Sequence, residues 1–198
     1  MASNYDYKIV DDRAMQLRID YNHLEKRLDV FSLAKQLNIN LIKYSSLTSS
    51  QREKISEIYE KQINEQIDGL SIIKQNKNGE YEFYTIYNDK APATRIRFTI
   101  AHEIKHIVFL EKDPTELEED MANHFARYIL APPCLLMCYV LAQKHPIDVA
   151  FDFDISYEAA GYAFESAQNR IMYGKDKLSS SEEDFMKLFL NNKKNKKA

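Results

Sequence analysis

The sequence predicts an α+β fold in which one small sheet is set among many helices. Two β-rich runs, LSIIKQ at 70–75 and EYEFYTIY at 80–87, flank an Asn78-Gly79 pair. From residue 100 onward the apolar residues recur at helical spacing. Only 4 Gly and 5 Pro interrupt 198 residues, which favours long helices and few tight turns.

Residues 14–28 and 30–38 read as two short amphipathic helices, the second carried by Val30, Leu33, Ala34 and Leu37. INLIKY at 39–44 has strand character. Residues 49–67 read as a third helix with Ile55, Ile58, Ile63 and Ile67 as a narrow apolar stripe. Asn78-Gly79 between the two β-rich runs predicts a hairpin whose two central residues take positive φ. RIRFT at 95–99 reads as a short third strand. Helices are expected at 100–111, 115–131, 133–143 and 156–173. Pro132-Pro133 separates two of them, and Ser156 caps the last. NNKKNKKA reads as a solvated tail.

Hydrophobic residues make up 44% and charged residues 29%, which describes a folded chain and not a disordered one. No run approaches the ~18 apolar residues of a membrane helix, so no membrane association is expected. MASNYDYKIVDDRAM lacks an apolar stretch, so no secretory signal is expected. Two cysteines make no disulfide framework, and a reducing cytoplasm is the expected compartment. Cys134 and Cys138 are read as buried apolar thiols. The net charge of −3 disfavours a broad basic face, so no direct DNA binding is expected.

One string stands apart: His102-Glu103-Ile104-Lys105-His106, an H-E-x-x-H pattern in a helical segment. Residues four apart share a helical face, so both imidazoles can address one metal ion. Glu103 lies close enough to reach a metal-bound water. A catalytic zinc needs a third protein ligand and an open position. Glu119 is the candidate, because Ala122, Ala126 and Ile129 follow it at helical spacing and place it at the edge of a buried face. Asn123, one turn on, is placed to accept the second ring N–H of one histidine. Glu116, Glu118 and Asp120 read as acids that suit the start of a helix.

Two longer strings extend the pattern: Arg97-Phe98-Thr99-Ile100-Ala101-His102-Glu103-Ile104-x-His106, and Glu119-x-x-Ala122-Asn123-x-Phe125-Ala126-Arg127-Tyr128-Ile129-Leu130-Ala131-Pro132-Pro133. Together with Asn88 and Ile155-Ser156-x-Glu158-Ala159-Ala160, they resemble the ImmA/IrrE family of zinc-dependent metallo-endopeptidases. The likeness is strongest over about 80–165. Lys105 departs from it, since the family commonly has Gly there, and is expected on the outer side of the helix.

The resemblance implies a zincin-like fold, with a small sheet packed on the H-E-x-x-H helix, N-terminal helices and a C-terminal helical segment that includes a helix-turn-helix-like unit. It implies a metallopeptidase domain over 1–132 and a helical segment over 133–190, while the polar, basic composition of the end predicts a disordered tail over 191–198. One Zn²⁺ per chain is expected on His102, His106 and Glu119, with Glu103 moving the proton. Tyr128 and His124 are candidate donors to the tetrahedral oxyanion, with Arg127 and Tyr162, and the sequence does not choose among them. The expected substrate is a helix-turn-helix repressor, cleaved in the cytoplasm to derepress phage, mobile-element or stress genes. The alternative is a zinc-containing protein that inactivates a repressor by docking without proteolysis. A substrate backbone is expected along an exposed edge of the hairpin, near Tyr81, Phe83, Tyr84, Ile86 and Tyr87.

Overall fold

A computed structural model describes residues 4–59 and 68–195. Among them are nine α-helices and one three-stranded mixed sheet, an α+β architecture. No single described helix is long and apolar enough to cross a membrane. The chain divides into two compact units, Met1–Asp29 with Thr115–Ala198, and Val30–Pro114. At Pro132-Pro133 the chain makes a 52° bend between two helices of the same unit.

The unit Val30–Pro114 holds α2 (Val30–Gln36), β1 (Ile39–Lys43), α3 (Ser49–Tyr59), β2 (Gly69–Gln75), β3 (Tyr81–Tyr87) and α4 (Ala93–Val108). β3 is central, antiparallel to β2 and parallel to β1. Leu70, Ile72 and Ile86 form one sheet face and bury against Leu47, with Ile42, Tyr44 and Ile55 around them. The opposite face carries Gly69 and Ser71 and meets α4. The expected helix at 49–67 is observed to Tyr59, and Ile63 and Ile67 lie outside the described residues.

The hairpin is present, but Gly79 alone in its loop has positive φ, at +84°. Asn76 is the reason. Its Oδ1 accepts from Asn78 N and Glu80 N, both at 2.9 Å, and its carbonyl accepts from Gly79 N at 3.0 Å. The side chain closes an Asx turn and leaves one left-handed residue for glycine.

Residues 95–99 are not a strand. They lie inside α4, and β1 is the third strand of the sheet. Arg97, Ile100, Ile104 and Ile107 are all buried at helical spacing. A buried arginine broke the apolar pattern and left Ile96 and Phe98 to imitate alternation.

The other unit holds α1 (Asn4–Asp20), α5 (Glu116–Leu130), α6 (Pro133–Leu141), α7 (Pro146–Phe153), α8 (Tyr157–Met172) and α9 (Ser180–Asn195). α1 starts and ends earlier than the expected 14–28 and packs on α5 and α9. Arg18, fully buried, ties the end of α1 down. Its Nε donates to His23 O at 3.1 Å, Nη1 to Ile129 O at 2.9 Å, and Nη2 to Glu25 O, while its guanidinium lies 4.9 Å from the Phe185 ring centroid.

α7 and α9 were not expected as helices. α7 starts at Pro146, with the Asp148 carboxylate accepting from His145 N at 2.8 Å. Its Val149, Phe151 and Phe153 imitate a strand in sequence. α9 runs to Asn195, so residues 191–195 of the expected disordered tail are helical, and 196–198 lie outside the described residues. Phe185 and Phe189, one turn apart and buried, anchor α9. Glu182 anchors its first turn with Arg170 Nη1 and Nη2 at 2.7 Å, Tyr128 Oη at 2.9 Å and Ser179 N at 2.9 Å.

Candidate metal centre

α4 carries His102, Glu103 and His106. The imidazoles sit one turn apart, with Nε2 of one 3.1 Å from Nε2 of the other and ring centroids 4.9 Å apart. His106 and Glu103 are buried, and His102 is half-buried. Glu103 is held against β2, where Ser71 Oγ donates to its Oε2 at 2.6 Å and also lies 3.2 Å from its backbone oxygen. Gly69 makes the close approach possible. A Cβ there would stand 2.4 Å from Thr99 Cγ2 and 2.9 Å from Glu103 Oε1.

Glu119 and Asn123 are on α5, in the other unit, and both are half-buried. Thr115 caps this helix and Glu118 completes the capping box, its Oε2 accepting from Thr115 N at 2.6 Å. Glu118 is thereby spent on the cap, and Glu116 and Asp120 face solvent. Ala122, Ala126 and Ile129 are fully buried, so Glu119 does lie at the margin of the apolar face of α5.

The family model of the IrrE N-terminal-like domain, Peptidase_M78, matches residues 58–165, more than half of the chain. The chain belongs to the ImmA/IrrE family. Its activity type is therefore that of a metallopeptidase. No curated protein matches it significantly.

This family member departs from expectation at several positions. Lys105 does not lie on the outer side of α4. It is fully buried, with Nζ 2.7 Å from each carboxylate oxygen of Glu111. The oxygen facing His106 Nδ1 is Glu111 Oε2, at 2.7 Å. Helical spacing could not reveal Glu111, which follows the end of α4 at five residues from His106.

Tyr128 donates its hydroxyl proton to buried Glu182. Burial, then the Glu182 charge, pushes its phenol well above the usual range. That proton is committed to the helix packing of its own unit. His124 pairs with Asp11, Nε2 to Oδ1 at 2.6 Å, and meets Tyr7 edge-on at 4.9 Å. Burial lifts the Asp11 carboxyl above its ordinary value, although His124 opposes the shift. Arg127 is exposed, as is Tyr162. Cys134 is buried and its thiol is pushed up to about 12, chiefly by burial. Cys138 is exposed, contrary to the expectation that both thiols are buried.

Proposed function

We propose that this chain is a zinc-dependent endopeptidase that cleaves a helix-turn-helix transcriptional repressor in the cytoplasm. Its arrangement is zincin-like, with the sheet backing the H-E-x-x-H helix. One observation carries the reading: two imidazole Nε2 atoms lie 3.1 Å apart on α4, and the same helix carries a buried carboxylate, Glu103, held by Ser71. That separation suits two nitrogens which each sit about 2.0–2.1 Å from one zinc. His102, His106 and Glu119 are the proposed ligands, a donor set that could hold a metal ion. Two imidazoles and one carboxylate match catalytic zinc and leave a position for water or substrate. Asn123 is proposed to orient one of the two histidines.

Zinc bound there would polarise the scissile carbonyl and bring water towards ionisation near neutral pH. Glu103 receives the proton of the attacking water on its carboxylate and returns it to the leaving nitrogen. Ser71 keeps Oε2 in one orientation through both transfers. β2 and β1 are the edges of the described sheet, and a substrate backbone is proposed to lie along β2.

The test is co-incubation of the zinc-loaded protein with the helix-turn-helix protein encoded beside it, followed by mass spectrometry. Wild type is expected to yield two fragments that sum to the repressor plus water, and Glu103→Gln none. An intact repressor with wild type would reject cleavage, and inactivation that survives Glu103→Gln would point to docking instead.

A further inference from the structure

We propose that Glu111 is a positioning residue for His106, and that buried Lys105 locks it there, so that the stop of α4 sets the direction in which His106 presents Nε2. The inference rests on the reading of His106 as a metal ligand.

α4 ends in a Schellman turn. Leu110 takes the left-handed conformation at φ +56°, Leu110 N donates to Ile107 O at 3.1 Å, and Glu111 N donates to His106 O at 2.8 Å. This turn folds the residue after the left-handed position back onto side chains one turn before the helix end. An apolar contact frequently fills that place. Here the two side chains met are His106 and Lys105. Glu111 Oε2 lies 2.7 Å from His106 Nδ1, and Lys105 Nζ lies 2.7 Å from both Oε1 and Oε2.

Each contact restrains the next. A carboxylate on Nδ1 holds the ring proton there and turns Nε2 outward as the ligating atom. Swinging the carboxylate away would break both of its 2.7 Å contacts with the ammonium of a fully buried lysine, which is costly. The backbone bond from Glu111 N to His106 O fixes the root of the same side chain. The Phe109 ring centroid lies 5.6 Å from Nζ. Three restraints thus converge on one carboxylate, and they aim it at the imidazole of His106.

The experiment is titration of zinc against a chromophoric chelator, with circular dichroism of each variant. Glu111→Ala is expected to weaken zinc binding roughly 10–100-fold, as loss of a ligand's orienting partner does. Lys105→Met should weaken it by a smaller factor. Lys105→Met/Glu111→Ala should bind as Glu111→Ala does, because Lys105 acts only through Glu111. The double variant removes both buried charges together, so it decides the matter if Glu111→Ala does not fold. A folded double variant within about twofold of wild type would overturn the role of Glu111, provided that His106→Ala abolishes binding. Unchanged binding in His106→Ala would overturn the ligand reading itself. Losses from Lys105→Met and Glu111→Ala that simply add would overturn the part given to Lys105.

Discussion

Ser71 Oγ donates to Glu103 Oε2 across 2.6 Å, from a strand to a helix 32 residues later. Gly69, two residues before Ser71 on the same sheet face, leaves room for the Glu103 side chain to lie there. A hydrogen bond to a charged group contributes about 1.5–3 kcal/mol, enough to hold a carboxylate in one rotamer.

Ser71→Ala is expected to lower the rate of peptide hydrolysis roughly tenfold with zinc content unchanged. Turnover and metal analysis on one preparation check this, and unaltered turnover would remove Ser71 from the mechanism.

Gly69→Ala is expected to destabilise the protein by about 1–3 kcal/mol, the usual cost of overpacking. The new Cβ would stand 2.4 Å from Thr99 Cγ2, a distance no side-chain rotation of alanine can relieve. Urea unfolding measures the loss, and a midpoint equal to wild type would show that β2 shifts freely.

Freshly purified protein is expected to hold about one zinc per chain, and His102→Ala or Glu119→Ala less than about 0.1. Zinc at a hundredfold excess over its Kd should stabilise the metal-free protein by about 2.7 kcal/mol, visible as a raised Tm. A Tm insensitive to zinc would count against the site.

Burial opposes ionisation of Glu182, but Arg170, Ser179 N and Tyr128 outweigh it and hold the carboxyl below its ordinary 4.5. A folded-state value below the unfolded one gives stability that is present above pH 4.5 and lost as pH falls through the depressed value. Glu182→Gln should therefore be less stable at pH 7, by about 3 kcal/mol, and should flatten the stability profile below pH 4.5. Chemical denaturation at several pH values tests both, and parallel profiles would reject the assignment.

Arg18→Met should destabilise by about 3 kcal/mol, because three carbonyls lose their donors at once. Arg18→Lys should not rescue it, since a single ammonium cannot reproduce the planar fork. Recovery with lysine would show that charge alone matters.

His102 and His106 were legible because a spacing of four places two side chains on one helical face wherever the helix sits. The strands at 70–75 and 80–87 were legible through their β-rich residues and the Asn78-Gly79 between them, α5 through its apolar spacing, and α8 through its Ser156 cap. Family membership was legible for the same reason, since its motifs are local strings of sequence. Residues 95–99 misled because Arg97 is buried as an arginine, which no local pattern announces. Lys105 misled likewise, as its burial depends on Glu111, and Glu111 reaches it only through the left-handed turn at Leu110. The chain alone determined most of its elements, its paired imidazoles and its kinship, since these follow from patterns over a few residues. The tertiary structure decided which polar groups are buried and what holds them, because desolvating a charge is tolerable only where the fold brings a partner to it.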